Sequence, residues 1–280
     1  MPELPEVEIT RRGLIPLINQ TVKSVTIRNG SMRWPIPDHL PQTLYQQKLL
    51  NLTRRAKYIL AEFESGTLLL HLGMSGRICL LERDYPAEKH DHFDIAFDDG
   101  RVLRLRDPRR FGAVLWAGEH PHIHSLIATL GPEPLEADFN AQYLFDQTRT
   151  RNAAIKVTIM DSHLVVGVGN IYASESLFRA GIHPETPAKQ LTLLQCEKLV
   201  KEIKATLNDS LNAGGSSLRD FFGADGNPGY FQQEYFVYSR TNEVCKICTN
   251  LIKNIRLGQR STFYCEKCQP KVVNNIKYIK

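Results

Sequence analysis

The sequence lacks the features of a membrane or secreted protein. None of its apolar runs approaches the ~18 residues that a membrane-spanning helix requires. The opening residues, MPELPEVEIT, are acidic and have neither the basic head nor the apolar stretch of a signal peptide. We therefore expect a cytoplasmic protein whose 280 residues, 42% of them hydrophobic, bury the cores of about two domains.

The chain also lacks internal repeats and the strand–helix alternation of a Rossmann fold. The Gly-x-Gly in VVGVGN is therefore a weak dinucleotide signal, which we discard. Residues 5–20 show a moderate helical pattern, and alternating or β-branched runs follow to about residue 130. Asn-Gly, Ser-Gly and Asp-Gly pairs between these runs are hairpin signals. The pattern favours a β-sandwich or barrel.

The second half of the chain has a helical period. GPEPLEADF, with two prolines and a glycine, reads as a linker. Four segments then predict helices, namely FNAQYLFDQTRT, AAIKVTIMD, IYASESLFRAG and LTLLQCEKLVKEIKATLNDSLNAGG. A Gly-rich loop, SSLRDFFGADGNPGYFQQ, and a cysteine-containing hairpin complete the chain.

Positive charge is concentrated at the C-terminal end. The net charge is +5, and residues 231–280 hold nine lysines and arginines against three glutamates, so this stretch carries all of the excess. Such a concentration predicts a module that binds a polyanion. The alternative is a basic, solvated tail.

Only two of the six cysteines lie outside a Cys-x2-Cys pair. Cys79 and Cys196 stand alone and are expected to be small buried hydrophobes. The other four are Cys245, Cys248, Cys265 and Cys268, which form two C-x2-C pairs separated by sixteen residues. Four thiolates at this spacing predict one closed, structural zinc site rather than disulfides, and a redox pair is the alternative.

The N-terminus carries possible amine chemistry. Removal of Met1 would leave Pro2 as a terminal secondary amine, and an α-amino pKa near 8 leaves a useful neutral fraction. Attack of such an amine on an aldehyde-level carbon gives an iminium, an electron sink, with Glu3 beside it as acid and base. The alternative is that Pro2 and Pro5 stiffen a helix cap while the acids favour the positive end of the helix.

Basic residues cluster on two predicted hairpins. TRRAKYIL contributes Arg54, Arg55 and Lys57, and VLRLRDPRRFG contributes four more arginines, Arg104, Arg106, Arg109 and Arg110. Phosphate binding needs such side chains, and insertion into a base stack needs an apolar tip. Phe111 and the Met74 of LGMSG are candidates for that tip.

A third cluster lies before a predicted helix. Gly167, Gly169 and Asn170 precede the apolar run of that helix, and Asn170 is the expected N-cap. Free amides at a helix start form an anion site, although simple capping explains the pattern equally well. Arg260, in GQRSTFYC on the second arm of the finger, is placed to meet a phosphate.

These motifs together closely resemble the bacterial formamidopyrimidine-DNA glycosylases, which excise 8-oxoguanine and ring-opened purines. Seven segments match in order: PELPEVE, RRAKY, HLGMSG, DPRRFG, VVGVGNIYASE, SLRDFFGADGNPGYFQ and GQRSTFYCEKCQ. The resemblance implies an α+β fold. An N-terminal β-sandwich with its helix (1–131) precedes a helix–two-turn–helix domain (132–231) and a zinc hairpin (232–280), with double-stranded DNA in the cleft between them.

The resemblance also implies roles for individual residues. Pro2 is the implied nucleophile at C1′, Glu3 the acid/base that opens the sugar ring, and Glu6 a supporting residue. The implied DNA contacts are Lys57 on a phosphate, the gap-filling triplet Met74, Arg109 and Phe111, the phosphate-gripping Asn170 and Arg260, and the weaker contacts Lys156 and His71. Residues 216–231 match the loop that closes over the extruded base.

The implied reaction is base excision followed by β- and δ-elimination, which leaves a one-nucleotide gap with phosphates at both ends. The enzyme is expected to be a cytoplasmic monomer that associates with the nucleoid when it acts. An endonuclease VIII-type enzyme for oxidised pyrimidines is the nearer alternative, but Leu4 replaces the glycine usual there. A zinc-finger DNA-binding protein without catalysis is the other. The tail QPKVVNNIKYIK is longer and more basic than the family pattern, and we interpret it as disordered or as an extra DNA contact, with disorder favoured.

Overall fold

The computed structural model describes residues 2–214 and 235–271. The loop 216–231 and the end of the basic tail lie outside the described residues. Two compact units are present, the first containing residues 2–129 and the end of the longest helix from residue 209. The second contains 130–208 and 235–271. The division into three domains stays a prediction.

The first unit consists of a helix and two antiparallel sheets. Helix α1 spans Leu4–Gly13, and the one-turn helix α2 spans Leu40–Leu44. Eight strands follow α1 along the chain, namely β1 (Val22–Ile27), β2 (Leu49–Arg55), β3 (Tyr58–Phe63), β4 (Gly66–His71), β5 (Arg77–Leu81), β6 (Asp91–Phe97), β7 (Val102–Arg106) and β8 (Ala113–Gly118). The strand orders are β1-β6-β7-β5 and β2-β3-β4-β8.

One apolar core joins the two sheets. Leu68 and Leu70 of β4 and Leu103 and Leu105 of β7 belong to the same buried cluster. Alternate residues of a strand face the same side, so each sheet supplies one inner face. The predicted β-sandwich is thereby confirmed. Val7 of α1 is also part of this core, which anchors the N-terminal helix to the sandwich.

The expected hairpin dipeptides have different outcomes. The Ser-Gly and Asp-Gly pairs lie in the turns between β3 and β4 and between β6 and β7. The hairpin expected at Asn29-Gly30 is wrong, because β1 pairs with the distant β6. The Asn29 side chain accepts a hydrogen bond from the amide of Ser31, while its own amide donates to the carbonyl of His92. The local bend is therefore part of a loop fixed by long-range pairing.

The second unit contains three of the four predicted helices, the fourth helix up to residue 208, and the finger hairpin. The helices are α3 (Ala141–Thr148), α4 (Ile155–Ile159), α5 (Asn170–Ala180) and α6 (Leu193–Asn212), and the hairpin strands are β9 (Lys253–Leu257) and β10 (Arg260–Tyr264). None of the helices in the described part of the chain combines the length and apolar character that a membrane span requires.

A buried carboxylate joins α5 to the segment that leads into the finger. Glu175 is 4% exposed, and its two oxygens accept the backbone amides of Phe236, Val237 and Tyr238 at 2.8–3.0 Å. Phe178 of the same helix stacks on Phe236 with ring centroids 5.3 Å apart. Amide donors stabilise a carboxylate that burial alone would disfavour, so α5 and the segment before the finger are held together.

Candidate active site and nucleic-acid interface

The predicted catalytic residues lie at the start of α1. Glu3 is the N-cap residue, and it forms a reciprocal capping box with Glu6, whose Oε2 accepts the Glu3 amide at 2.8 Å. Glu3 is 1% exposed and Glu6 is fully buried. Helix capping, the alternative role of the N-terminal residues, is therefore present in the structure. It holds Pro2, which is partly exposed, immediately before the first turn of the helix.

Lys57 is presented by a tight turn. Arg55 at the end of β2 pairs with Tyr58 at the start of β3, which leaves a two-residue connection formed by Ala56 and Lys57. Ala56 has a φ of +54°, in the left-handed region that side chains other than glycine seldom adopt. The turn is thus held in a strained conformation that fixes where the Lys57 side chain leaves the hairpin.

His71 is a neutral hydrogen-bond donor. Its Nδ1 accepts the backbone amide of Gly73 at 3.0 Å, which leaves the proton on Nε2. Burial, assisted by the positive charges of Lys57 and Arg33, lowers the pKa of His71 to about 4 despite the opposing effect of Asp107. At neutral pH this side chain can therefore offer an N–H group to a phosphate without carrying a charge.

The three residues predicted to fill the gap lie on two adjacent loops. Met74 follows β4, and Arg109 and Phe111 lie between β7 and β8. Phe111 is 39% exposed, and the guanidinium carbon of Arg109 lies 4.9 Å from the centroid of its ring. Gly73 has a φ of +63°, and a Cβ there would lie 2.3 Å from the carbonyl carbon of Phe111. The structure thus places the loop that contains Met74 against the loop that contains Arg109 and Phe111.

Asp107 ties these two loops together, and sequence reasoning did not find it. The residue is fully buried. One carboxylate oxygen accepts the Ser75 hydroxyl at 2.8 Å, and the other accepts the Gly112 amide at 2.7 Å. The first oxygen also accepts the Arg109 amide at 3.2 Å. A single carboxylate therefore fixes the loop of Met74 relative to the loop of Arg109 and Phe111.

In the second unit, the buried Lys156 contacts elements that carry the predicted phosphate contacts Asn170 and Arg260. It is 1% exposed, and its ammonium donates to Asn170 Oδ1 at 2.6 Å, to the Ser261 carbonyl at 3.0 Å and to Thr262 Oγ1 at 2.8 Å. The three N–H groups of the ammonium thus donate to oxygen atoms of the protein. The implied contact of Lys156 with DNA stays a prediction.

Asn170 is the first residue of α5 and not its cap. The N-cap is Gly169, so the expectation that Asn170 caps the helix is wrong. The reason is the buried Lys156, which recruits the Asn170 side-chain oxygen that a cap would use. Because that oxygen accepts from an ammonium, the amide nitrogen is the atom left to face an anion. Asn170 is partly exposed, as such a contact requires.

Arg260 begins β10 at the tip of the finger hairpin and is exposed. It pairs with Leu257 across a two-residue connection, Gly258 and Gln259, that has positive φ at both positions. This is the geometry of a tight hairpin turn. Because the next two residues of β10 bond to Lys156, the same lysine supports both Arg260 and Asn170.

The four finger cysteines converge as predicted. All four sulfur atoms lie within 4.8 Å of one another, with 3.9 Å between Cys245 and Cys268 and 3.3 Å between Cys248 and Cys265. Tetrahedral zinc with Zn–S bonds of about 2.3 Å needs sulfurs a little under 4 Å apart. The donors fit one structural Zn²⁺, which would join the segments on either side of the β9–β10 hairpin and leave no open coordination position.

Three family models match successive parts of the chain. They describe a formamidopyrimidine-DNA glycosylase N-terminal domain at residues 1–114, the H2TH domain of the same glycosylase at 130–222, and a zinc finger found in FPG and IleRS at 242–271. The matches follow the order of the motifs in the sequence.

Individual relatives extend over almost the whole chain. A formamidopyrimidine-DNA glycosylase of Methylobacillus flagellatus is 69% identical over 269 residues, 96% of each chain. Two solved structures of Lactococcus lactis Fpg, one mutant complex with Fapy-dG containing DNA and one complex with abasic site containing DNA, are 33% and 34% identical. Each covers 96% of this chain and 100% of its own, with a TM-score of 0.89.

Because Gly73 lies close to the neighbouring loop, we expect its substitution to lower the free energy of unfolding more than usual. Gly73→Ala should lower the free energy of unfolding, measured in urea, by at least about 3 kcal/mol, because the new methyl group meets backbone atoms. Gly118→Ala is the matched control, since Gly118 has a φ of +65° but nothing within 4 Å of its added Cβ. That variant should lose about 1 kcal/mol. Equal losses would show that the two loops do not constrain each other.

The buried ammonium of Lys156 predicts a second effect. Lys156→Met should weaken binding of a DNA duplex about tenfold, because Asn170 loses the partner that orients its amide. Fluorescence anisotropy at fixed salt measures the change. Lys198→Met removes the same charge from an exposed position of the second unit and should have a much smaller effect. Equal weakening by the two variants would reduce Lys156 to a nonspecific charge.

Proposed function

This chain belongs to the formamidopyrimidine-DNA glycosylase family, and we propose that the amine of Pro2 is its nucleophile. It is a base-excision-repair DNA glycosylase for oxidised purines. The observation that carries this function is the 69% identity, across 96% of the chain, to a relative of that name. The solved complexes of the Lactococcus lactis relative with Fapy-dG DNA and abasic DNA support the same class of substrate.

The first step requires Pro2 to be the terminal residue of the mature protein. Its neutral amine attacks C1′ of the damaged nucleotide, and the base leaves with the electron pair of the glycosidic bond and takes up a proton. Glu3, in its acid form, protonates O4′ as the C1′–O4′ bond opens. The nitrogen loses its proton, and an iminium joins Pro2 to C1′. Capping of α1 supports this step because it holds Glu3 next to Pro2.

The lyase reaction follows from the same iminium. Its electron-withdrawing nitrogen makes the C2′ proton acidic, so removal of that proton expels the 3′ phosphate by β-elimination. A second elimination then expels the 5′ phosphate. The proposed product is a one-nucleotide gap with phosphate at both ends, and the base-free sugar fragment is released from Pro2 by hydrolysis.

The proposed DNA contacts have two tasks. Extrusion of a base costs on the order of a few kcal/mol, and Met74, Arg109 and Phe111 are proposed to fill the space that it vacates. Phosphate contacts offset this cost. They are assigned to two groups, one in each unit, namely Lys57 with His71 and Asn170 with Arg260. Buried partners hold each group in place, which is what a preorganised site requires.

We further infer that the enzyme works as a monomer on the DNA of the cytoplasm, associated with the nucleoid while it acts. The proposed domains are the catalytic sandwich at 1–131, the helix–two-turn–helix domain at 132–231 and the zinc hairpin at 232–280. The family models support these divisions in order, although their limits differ by several residues.

Covalent trapping tests the proposed reaction. Borohydride reduces an iminium to a stable amine, so incubation with a duplex that carries 8-oxoguanine opposite cytosine should give a protein–DNA adduct visible on a denaturing gel. Pro2→Gly should lower the yield at least about tenfold while the urea unfolding midpoint stays near that of the parent protein, because Pro2 is partly exposed before α1.

The same assay separates the alternatives. An oxidised-pyrimidine duplex trapped in preference to 8-oxoguanine would favour the endonuclease VIII-type alternative. Tight DNA binding without trapping on either lesion would indicate a protein without catalysis. Undiminished trapping by protein that retains Met1, in which the nitrogen of Pro2 is part of an amide, would show that another residue is the nucleophile.

A further inference from the structure

The acidic opening of the chain contains one glutamate that neither the capping of α1 nor the proposed chemistry uses. Glu8 lies on α1, and its side chain is 13% exposed. Its carboxylate accepts the Nε and Nη2 groups of Arg11 at 3.0 and 2.8 Å and the Nε group of Arg12 at 2.8 Å. Burial would raise the pKa of Glu8, but these hydrogen bonds outweigh it and hold the pKa below its ordinary value.

Two arginines connect this carboxylate to the neighbouring strand. Arg54 of β2 places its Nε 3.5 Å from Glu8 Oε2. Arg11 donates through Nη1 to the carbonyl of Leu52, also on β2, at 3.0 Å. The side chain of Arg54 is 13% exposed. Both arginines lie between the helix and the strand.

Arg54 continues beyond the strand to the turn that presents Lys57. Its Nη1 donates to the carbonyl of Ala56 at 2.9 Å. Ala56 is the residue with the left-handed backbone, and it is 4% exposed. A carbonyl held by a guanidinium at this position restricts the rotation of the strained peptide. The chain of contacts therefore runs from α1 through Glu8 and Arg54 to the turn.

We propose that Glu8 and Arg54 are positioning residues. They hold the Ala56–Lys57 turn at a fixed position relative to α1, the helix that Pro2 and Glu3 precede. Neither residue touches the reacting atoms. Their effect is to keep the Lys57 ammonium where it meets a phosphate when the amine of Pro2 meets C1′. This inference rests on the proposed function for the purpose of the lysine, but it concerns the geometry of the free enzyme.

The salt dependence of DNA binding tests the proposal without using catalysis. A phosphate contact contributes about one unit to the slope of log Kd against log salt. Lys57→Met should reduce the slope of the full-length protein on an abasic-site analogue duplex by about one. Glu8→Gln should produce most of the same reduction, and the Glu8→Gln/Lys57→Met double variant should show no further reduction.

Two other variants separate positioning from simple stability. Arg12→Gln removes a partner of the same carboxylate from the exposed side of α1 and should leave the slope unchanged. Ala56→Gly, added to Glu8→Gln, should restore most of the slope, because glycine adopts the left-handed backbone without a clamp. Loss of α1 packing alone would not be rescued by a change in the turn.

The outcomes are distinct. The proposal is overturned if Glu8→Gln leaves the slope at the value of the parent protein. It is also overturned if Glu8→Gln lowers the slope by the same amount in the parent protein and in Lys57→Met. If Glu8→Gln does not fold, Arg54→Lys replaces it, since lysine keeps the charge but cannot bridge Glu8 and the Ala56 carbonyl together. Failure of borohydride trapping by the parent protein would contradict the proposed function while leaving the slope comparison interpretable.

Discussion

The reciprocal capping of α1 by Glu3 and Glu6 is the interaction on which the proposed active site depends. A chain terminus is ordinarily frayed, and a nucleophile attached to it would sample many positions. Here the Glu3 carboxylate accepts the Glu6 amide, the Glu6 carboxylate accepts the Glu3 amide, and both side chains are almost fully buried. Val7, one residue further, belongs to the core of the sandwich. Pro2 therefore has a fixed neighbour, and its position is set by the packing of the sandwich.

The same arrangement recurs at the other proposed contacts, where a buried charged group positions exposed ones. Asp107 links the loop of Met74 to the loop of Arg109 and Phe111, the three residues proposed to fill the gap. Lys156 supports Asn170 and the strand that begins with Arg260. Each charge is satisfied by several hydrogen bonds, which offsets the cost of burial and makes the arrangement rigid. The exposed residues can then meet phosphates and bases with little loss of conformational entropy on binding.

The sequence predicted the features that local pattern determines. The helices of the second unit, most of the sandwich strands and the zinc ligands follow from the periodicity of apolar residues and the spacing of the cysteines. Features set by long-range contacts were missed. Asn29-Gly30 has the chemistry of a hairpin but lies beside β6, and Asn170 has the chemistry of a cap but bonds to a lysine fourteen residues earlier. No local pattern in the sequence identifies Asp107 as a buried residue with several hydrogen bonds. Its position before Pro108, in a turn between strands, could have suggested a structural role.

If a fixed terminal amine performs the chemistry, that amine is the site of covalent attachment to the DNA. The borohydride-reduced complex with an 8-oxoguanine duplex is digested with protease and nuclease, and the adduct is located by tandem mass spectrometry. We predict the mass of the reduced sugar remnant on the nitrogen of Pro2, in a peptide that begins at that residue. A remnant on Lys57 or on any other lysine would show that the amine of Pro2 is not the nucleophile.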